Sequence, residues 1–485
     1  MKYAVEIKIA VIALAIIGAI FVMLVSSVGM PAFMWSGNDA VQFITLGENF
    51  LAGNGFSLRI EAPFVPSALR TPGYPLFLAF SKAVSGGYLL ALFLQAIIHA
   101  ALAVFAFRIA MILFHTRWIG IASAAVMMVD IDAVYTALSL IADTMLAFFF
   151  VLSLYFFMRY LEYDRTEIIV WSFVALGLSA LMRPSALVLA PLYLGVLWWR
   201  GRHAHADRYM LFKHAVIGIF ILALCIVPWS ARNYFQFGTI QPTTADAFAL
   251  YPTLSAQIIA LRDGISDRAA RSELIRNIEA HEQDPKINLA AYPFTPLRGE
   301  ILGVETFVYR DVLIRGFFDT VRSAPSAYAK IIMQGTAEYF TKTQWATPLL
   351  KWGVIKNVPP PSRSYQTAFL KDGLAGFIRE LSARLHCGAP CWAAFGANWF
   401  GRVFWTIMLL AAVFGWFYWY SAQPARRPVA VLVALAVVLT ALFGHVLYQG
   451  FAMQARYRIP VEPFLLAYGF YGLRILREQL KRKFL

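Results

Sequence analysis

The run YLLALFLQAIIHAALAVFAFRIAMILF, from Tyr88 to Phe114, holds a single formally charged residue, Arg108, and shows no alternation of polar with apolar positions. A helix needs roughly 20 apolar residues to cross a hydrocarbon core, whereas a barrel strand reads as about ten residues of period two. The run therefore predicts a membrane-spanning helix. The same reading gives nine more candidate spans, near 8–30, 118–136, 140–160, 167–182, 184–199, 214–230, 399–420, 428–449 and 459–476. Composition agrees: 60% of residues are hydrophobic and 14% charged, against about 25% charged in an average soluble domain. The expectation is an all-α polytopic membrane protein with roughly 10–13 transmembrane helices and further juxtamembrane helices outside the bilayer.

Lys and Arg concentrate in short cytoplasmic loops. The loops with Arg159 and Arg165, with Arg200, Arg202, Arg208 and Lys213, and with Arg426 and Arg427 fall on one side if the spans alternate, as does the tail from Arg474 to Lys483. This predicts a cytoplasmic N-terminus. The formal charge of +15 is spread over the flanks of apolar runs and forms no basic stripe, which argues against a nucleic-acid partner. The first apolar stretch, 8–30, is too long for a signal-peptide core and ends in Gly-Met-Pro without a small-residue cleavage site, so it reads as a retained anchor.

The chain then divides into an N-terminal transmembrane domain, 1–230, whose first extracytoplasmic loop is 31–87; an extracytoplasmic or interfacial helical region, 231–398; and C-terminal transmembrane helices with a basic cytoplasmic tail, 399–485. In the middle region 255–282 and 297–323 carry apolar residues at helical spacing among charges, 325–340 reads as an interfacial helix, and Pro359-Pro360-Pro361 marks a linker. Of three cysteines, Cys225 reads as a small buried hydrophobe. Cys387 and Cys391 flank Gly-Ala-Pro in a segment placed outside the cytoplasm and are either a local disulfide or two free thiols.

Charged residues at the outer ends of the spans are the candidates for chemistry. Asp39 sits at a helix N-terminus and is either a cap or a functional carboxylate. Asp143 opens the 140–160 span, where an ionisable group faces a cavity or a partner; Asp130 and Asp132 read as solvated loop residues. Arg70, Arg183, Arg232, Arg456 and Arg458 run against the positive-inside tendency. Each is an interfacial anchor taken alone, and together they form the lining of an anion pocket, because guanidiniums bind phosphate oxygens in pairs.

The order of Gly37-Asn38-Asp39, Gly53-Asn54-Gly55-Phe56-Ser57, Arg70-Thr71-Pro72-Gly73-Tyr74-Pro75, Met182-Arg183-Pro184, Pro228-Trp229-Ser230-Ala231-Arg232-Asn233 and Arg456-Tyr457-Arg458-Ile459-Pro460 resembles the bacterial branch of the GT-C superfamily. That group includes protein O-mannosyltransferase-like and aminoarabinose-transferase-like enzymes. The likeness covers most of the chain and is weakest over 240–320 and 350–398. It implies a sugar donor on a polyprenyl phosphate, a first-loop aspartate as general base, and transfer with inversion at the anomeric carbon. Asp39 stands where that base is expected, and Asp143 where a later span opens with an acidic residue.

Arg70, Arg232, Arg456 and Arg458 are the candidates for the phosphate of the departing lipid, and Tyr74, Asn233 and Tyr457 are candidate substrate contacts. Many relatives have Asp-Glu where this chain has Asp39-Ala40, and many have Glu at the place of Asp143. The first departure leaves the metal unknown: no cofactor is obligatory and a divalent cation stays open. The expected partners are the lipid-linked donor, an envelope glycan, lipid or protein acceptor, and the bilayer; the expected place is the bacterial inner membrane with the active site outside the cytoplasm. Two alternatives remain. One is a flippase or transporter of a lipid-linked or anionic substrate, although no paired halves are visible. The other is a polysaccharide assembly enzyme using a diphosphate-linked donor.

Overall fold

The computed structural model of the chain describes residues 4–28, 37–203, 207–280, 310–355, 373–376, 378–379, 381–383, 386, 388–450 and 453–484. Among them helices dominate and no β-strand is formed; one isolated bridge joins Ser57 to Pro66. All ten predicted spans coincide with helices. Six are long and apolar enough to cross a membrane, or seven if the bent pair Arg117–Val129 and Ile131–Ala137 counts as one span. Three predicted spans fall outside that count. Thr166–Met182 has 17 residues and Leu189–His203 has 15, short of a full crossing; Glu462–Phe484 carries Lys481, Arg482 and Lys483 in its last turn.

Contacts between loops gather the predicted basic loops at one end of the bundle. Arg200 pairs with Asp164, Arg426 reaches the Ile112 carbonyl and His115, and Arg474 bonds Thr116. Asp143 and Arg183 lie at the other ends of the helices that meet at Asp164, so the candidate chemistry occupies the opposite end.

Small residues set the tightest helix contact. Where Ala389–Ala422 crosses Glu462–Phe484, a Cβ on Gly472 would stand 2.0 Å from the Ala411 carbonyl oxygen, and one on Gly415 would stand 2.4 Å from that of Tyr468. Backbones approach this closely only where glycine removes the side chain. The middle region builds a second, smaller core around Leu254, Ile258, Phe317 and Ile331, to which Leu69 of the first loop contributes. The predicted helices appear there as Ala256–Asp263, Asp267–Ala280, Arg310–Ser323 and Pro325–Thr341. Residues 297–309 and 359–361 lie outside the described residues, as does Cys387; Cys391 is disulfide-bonded and Cys225 is free.

Asp130 and Asp132 are not solvated loop residues. The chain bends by 58° between Val129 and Ile131, and Asp130 caps the new helix by accepting from the Ala133 N–H at 3.0 Å. That bend turns both carboxylates inward, where Asp130 accepts from the Trp405 indole and Asp132 from the Gln344 N–H.

Gly472→Val should force the two helices apart, costing about 1–3 kcal/mol as overpacking does. The expected result is a lower thermal unfolding midpoint in detergent than for the wild type; an unchanged midpoint would show that the contact yields freely.

Candidate active site

Three chain segments are fastened together at the end of the bundle opposite the basic loops. Gly73 opens helix Gly73–Ser85 so close to the end of Thr166–Met182 that a Cβ would lie 2.7 Å from the Leu181 carbonyl oxygen, and Thr71 donates to the Met182 carbonyl at 3.0 Å. This brings Arg70 beside Arg183. The third segment, the short 3-10 helix Ala455–Val461, is held from the middle region: the Tyr339 hydroxyl donates to the Tyr457 carbonyl at 3.0 Å and the Ala455 N–H donates to Gln344 at 3.2 Å. It delivers Arg456.

These residues converge on Asp39. Arg70 Nη2 donates to Asp39 Oδ1 at 2.6 Å, Arg456 Nη2 donates to Oδ2 at 2.7 Å, and Arg183 Nη2 stands 3.8 Å from Oδ2. Asp143 lies behind them, 3.0 Å from Arg183 and 3.5 Å from Arg456. Burial pushes the Asp39 carboxyl up, but the guanidiniums of Arg70, Arg456 and Arg183 outweigh it and hold the group well below its ordinary 3.8. Gln42, one helical turn after Asp39, accepts from Arg70 at 2.9 Å and 2.6 Å, which fixes that guanidinium against the ring of Phe43.

The cluster lines a cavity of about 870 Å³ whose other wall comes from the middle region. Asp39 is 24% exposed and reachable; Asp143 is 2% exposed and is not, so it acts on the cavity through Arg183 and Arg456. Tyr457 lines the cavity beneath the Arg183 and Arg456 guanidiniums, 5.7 Å and 5.5 Å from its ring centre, and stacks on His445.

Other predicted site residues are placed elsewhere. Arg458 is fully buried: it donates to Glu462 at 3.0 Å and to the Phe340 and Lys342 carbonyls, with its guanidinium 3.9 Å from the centre of the Trp405 ring. Arg232 packs among Phe56, Trp229 and Phe237 and donates to the Ser67 carbonyl, which ties the first loop to helix Arg208–Phe237, while Asn233 accepts from Arg232 and donates to the Gln241 carbonyl. Tyr74 is buried and donates to Gln95. Asp246 and Arg310, which do line the cavity, were not foreseen; they are 64 positions apart in the segment where the resemblance is weakest, and only Gln42, on the helix face of Asp39, carried a readable signal.

Both oxygens of Asp39 already accept from guanidiniums and Asp143 shares two of them. Among the described residues no group of three or more His, Cys, Asp or Glu side chains is arranged to hold a metal ion.

Residues 69–230 match the family described as dolichyl-phosphate-mannose-protein mannosyltransferase. No curated protein sequence matches the chain. Two solved structures of the Archaeoglobus fulgidus oligosaccharyltransferase are similar: the apo form, with TM-score 0.51 at 14% identity over 100% of this chain and 52% of that one, and the form tethered by a disulfide to an acceptor peptide containing the NVT sequon, with TM-score 0.52 at 13% identity over 99% and 50%. ArnT from Cupriavidus metallidurans bound to undecaprenyl phosphate is more distant, with TM-score 0.34 at 14% identity over 95% and 77%, and no residue correspondence is drawn from it. The chain spans about half the length of the oligosaccharyltransferases, and at these identities the likeness is one of fold. The chain shares its polytopic, all-helical membrane fold with these oligosaccharyltransferases.

Proposed function

We propose that the protein is an inverting glycosyltransferase that moves a sugar from a polyprenyl monophosphate to an envelope acceptor at the extracytoplasmic face of the bacterial inner membrane. The observation that carries this reading is the convergence of Arg70, Arg183 and Arg456 on Asp39 at the wall of a large cavity. Three guanidiniums face two carboxylates, Asp39 and Asp143, so one positive charge is left for a singly charged anion such as the phosphodiester of a polyprenyl-phosphate sugar. The family match over 69–230, which includes Arg70, Asp143 and Arg183, supports the same chemistry. The cavity lies at the bundle end away from the basic loops, and the charge rule for short loops supports an extracytoplasmic position for that end.

In the proposed reaction the acceptor hydroxyl attacks the anomeric carbon and the bond from that carbon to the phosphate oxygen breaks. The proton passes to Asp39 and the polyprenyl phosphate leaves with the electron pair. Asp39 is a poor base while two guanidiniums hold it. A donor phosphate competes for those same guanidiniums, and each one it takes returns basicity to Asp39 while stabilising the leaving group. Arginine supplies the positive charge, so a divalent cation is not obligatory in this scheme.

Transfer from a panel of synthetic polyprenyl-monophosphate sugars to an envelope extract tests the reading. Asp39→Asn should fold, insert and bind donor yet lose turnover by about 10²–10⁴; wild-type turnover in that variant would remove Asp39 as base, and movement of the sugar across the bilayer without transfer would favour a flippase. Arg456→Ala should raise the apparent donor KM and lower kcat, and leaving both unchanged would take it out of the phosphate site. The pH profile gives an independent check. Protonated Asp39 cannot accept a proton, so the acid limb of kcat/KM follows the free enzyme and should be absent down to about pH 5. Arg70→Gln removes one lowering charge while burial still raises the group, so any acid limb should move toward higher pH, never lower. In the wild type the acid limb of kcat should lie above that of kcat/KM; coincident limbs would mean that donor does not free Asp39.

A further inference from the structure

The wall of the cavity supplied by the middle region carries a second charged pair. Asp246, in the short helix Ala245–Phe248, and Arg310, the first residue of helix Arg310–Ser323, both line the cavity. One hydrogen bond joins them, from Arg310 Nη2 to Asp246 Oδ2 at 2.8 Å. The Asp246 side chain is 43% exposed and that of Arg310 22%. Each keeps one shut-in polar atom, Asp246 Oδ1 and Arg310 Nε, with no protein partner.

As an element of the fold this pair is poorly chosen. An ion pair this exposed stabilises little, and shut-in atoms without partners cost free energy. Its chemistry also differs from that of the cluster around Asp39. Arg70, Arg183, Arg456, Asp39 and Asp143 leave a net positive charge suited to an anion, whereas Asp246 and Arg310 cancel. A carboxylate and a guanidinium side by side present an acceptor next to donors, without net charge. That combination matches two hydroxyls on adjacent ring carbons: one donates to the carboxylate and the neighbouring oxygen accepts from the guanidinium. Hydrogen bonds to charged groups are the stronger kind, and a site built to bond a hydroxyl discriminates sharply against an analogue that lacks it.

We propose that Asp246 and Arg310 form a sugar subsite that binds a vicinal pair of hydroxyls in the same cavity as Asp39. The subsite rests on the glycosyltransferase reading above. Its hydroxyl pair belongs either to the transferred sugar or to a sugar of the acceptor.

The test uses the full chain as wild type, Asp246→Asn and Arg310→Lys. The probes are the donor that supports transfer, its analogues each lacking one ring hydroxyl, and sugar-free polyprenyl phosphate. All three proteins should bind the sugar-free lipid equally. Each variant should weaken the sugar-recognition step by about tenfold or more, in donor Kd if the transferred sugar is read or in acceptor KM alone if the acceptor is read. The analogue lacking the hydroxyl in question should bind wild type and variant alike. Unchanged donor Kd and acceptor KM in both variants would overturn the subsite, as would an equal loss on every probe including the sugar-free lipid, the mark of a structural role. Should Asp246→Asn fail to fold, Arg310→Lys, which keeps the charge, carries the same comparisons. A wild type that binds no polyprenyl phosphate and transfers no sugar refutes the glycosyltransferase reading itself, a result distinct from a wild type that works and variants that work equally well.

Discussion

Asp39 accepts from Arg70 on one oxygen and from Arg456 on the other, and this clamp forms part of the cavity wall. A carboxylate or a guanidinium removed from water is costly unless paired and hydrogen-bonded, so the four segments carrying Asp39, Arg70, Arg183 and Arg456 are coupled electrostatically as well as by packing. Removing one member leaves charges of the other sign uncompensated. The clamp therefore links the orientation of the first loop to that of the last short helix, more than 400 positions away in the chain.

The clamp is only as firm as its supports. Ala455–Val461 is a 3-10 helix, with three residues per turn, so positions two apart point in different directions. Arg456 accordingly faces the cavity while Arg458 enters the core, where it meets Glu462, Trp405 and two carbonyls of the middle region. The buried arginine fixes the segment that presents the exposed one. Asp130 belongs to the same buried group through Trp405, which explains why a carboxylate at a helix break is sequestered and not solvated.

The spans were legible because lipid imposes length and apolarity on each helix separately, and local sequence carries both. The pairing of Asp39 with Arg70 and Arg456 was legible only as a resemblance plus an excess of outer arginines. Which arginine turns to the cavity was not, since Arg456 and Arg458 share one motif, and Arg232 carries the same charge into an aromatic setting. Asp246 and Arg310 had no local signature at all: their meeting is a tertiary event between two helices that pack on the second core.

Without an anion the guanidiniums already have oxyanion partners in Asp39 and Asp143, so the site is internally neutralised apart from one charge. On the glycosyl-transfer reading, a phosphate entering it exchanges one set of guanidinium contacts for another and gains less in the ground state than it would from unpaired guanidiniums. In the proposed reaction, as the bond to the anomeric carbon breaks, charge accumulates on the phosphate and the same contacts strengthen, while the displaced Asp39 is at its most basic. Interactions that grow along the reaction coordinate raise kcat without tightening substrate binding. On the glycosyl-transfer reading, the clamp on Asp39 is thus the reserve from which the reaction draws: it tempers donor affinity and places the freed carboxylate in the cavity where the acceptor hydroxyl must lose its proton.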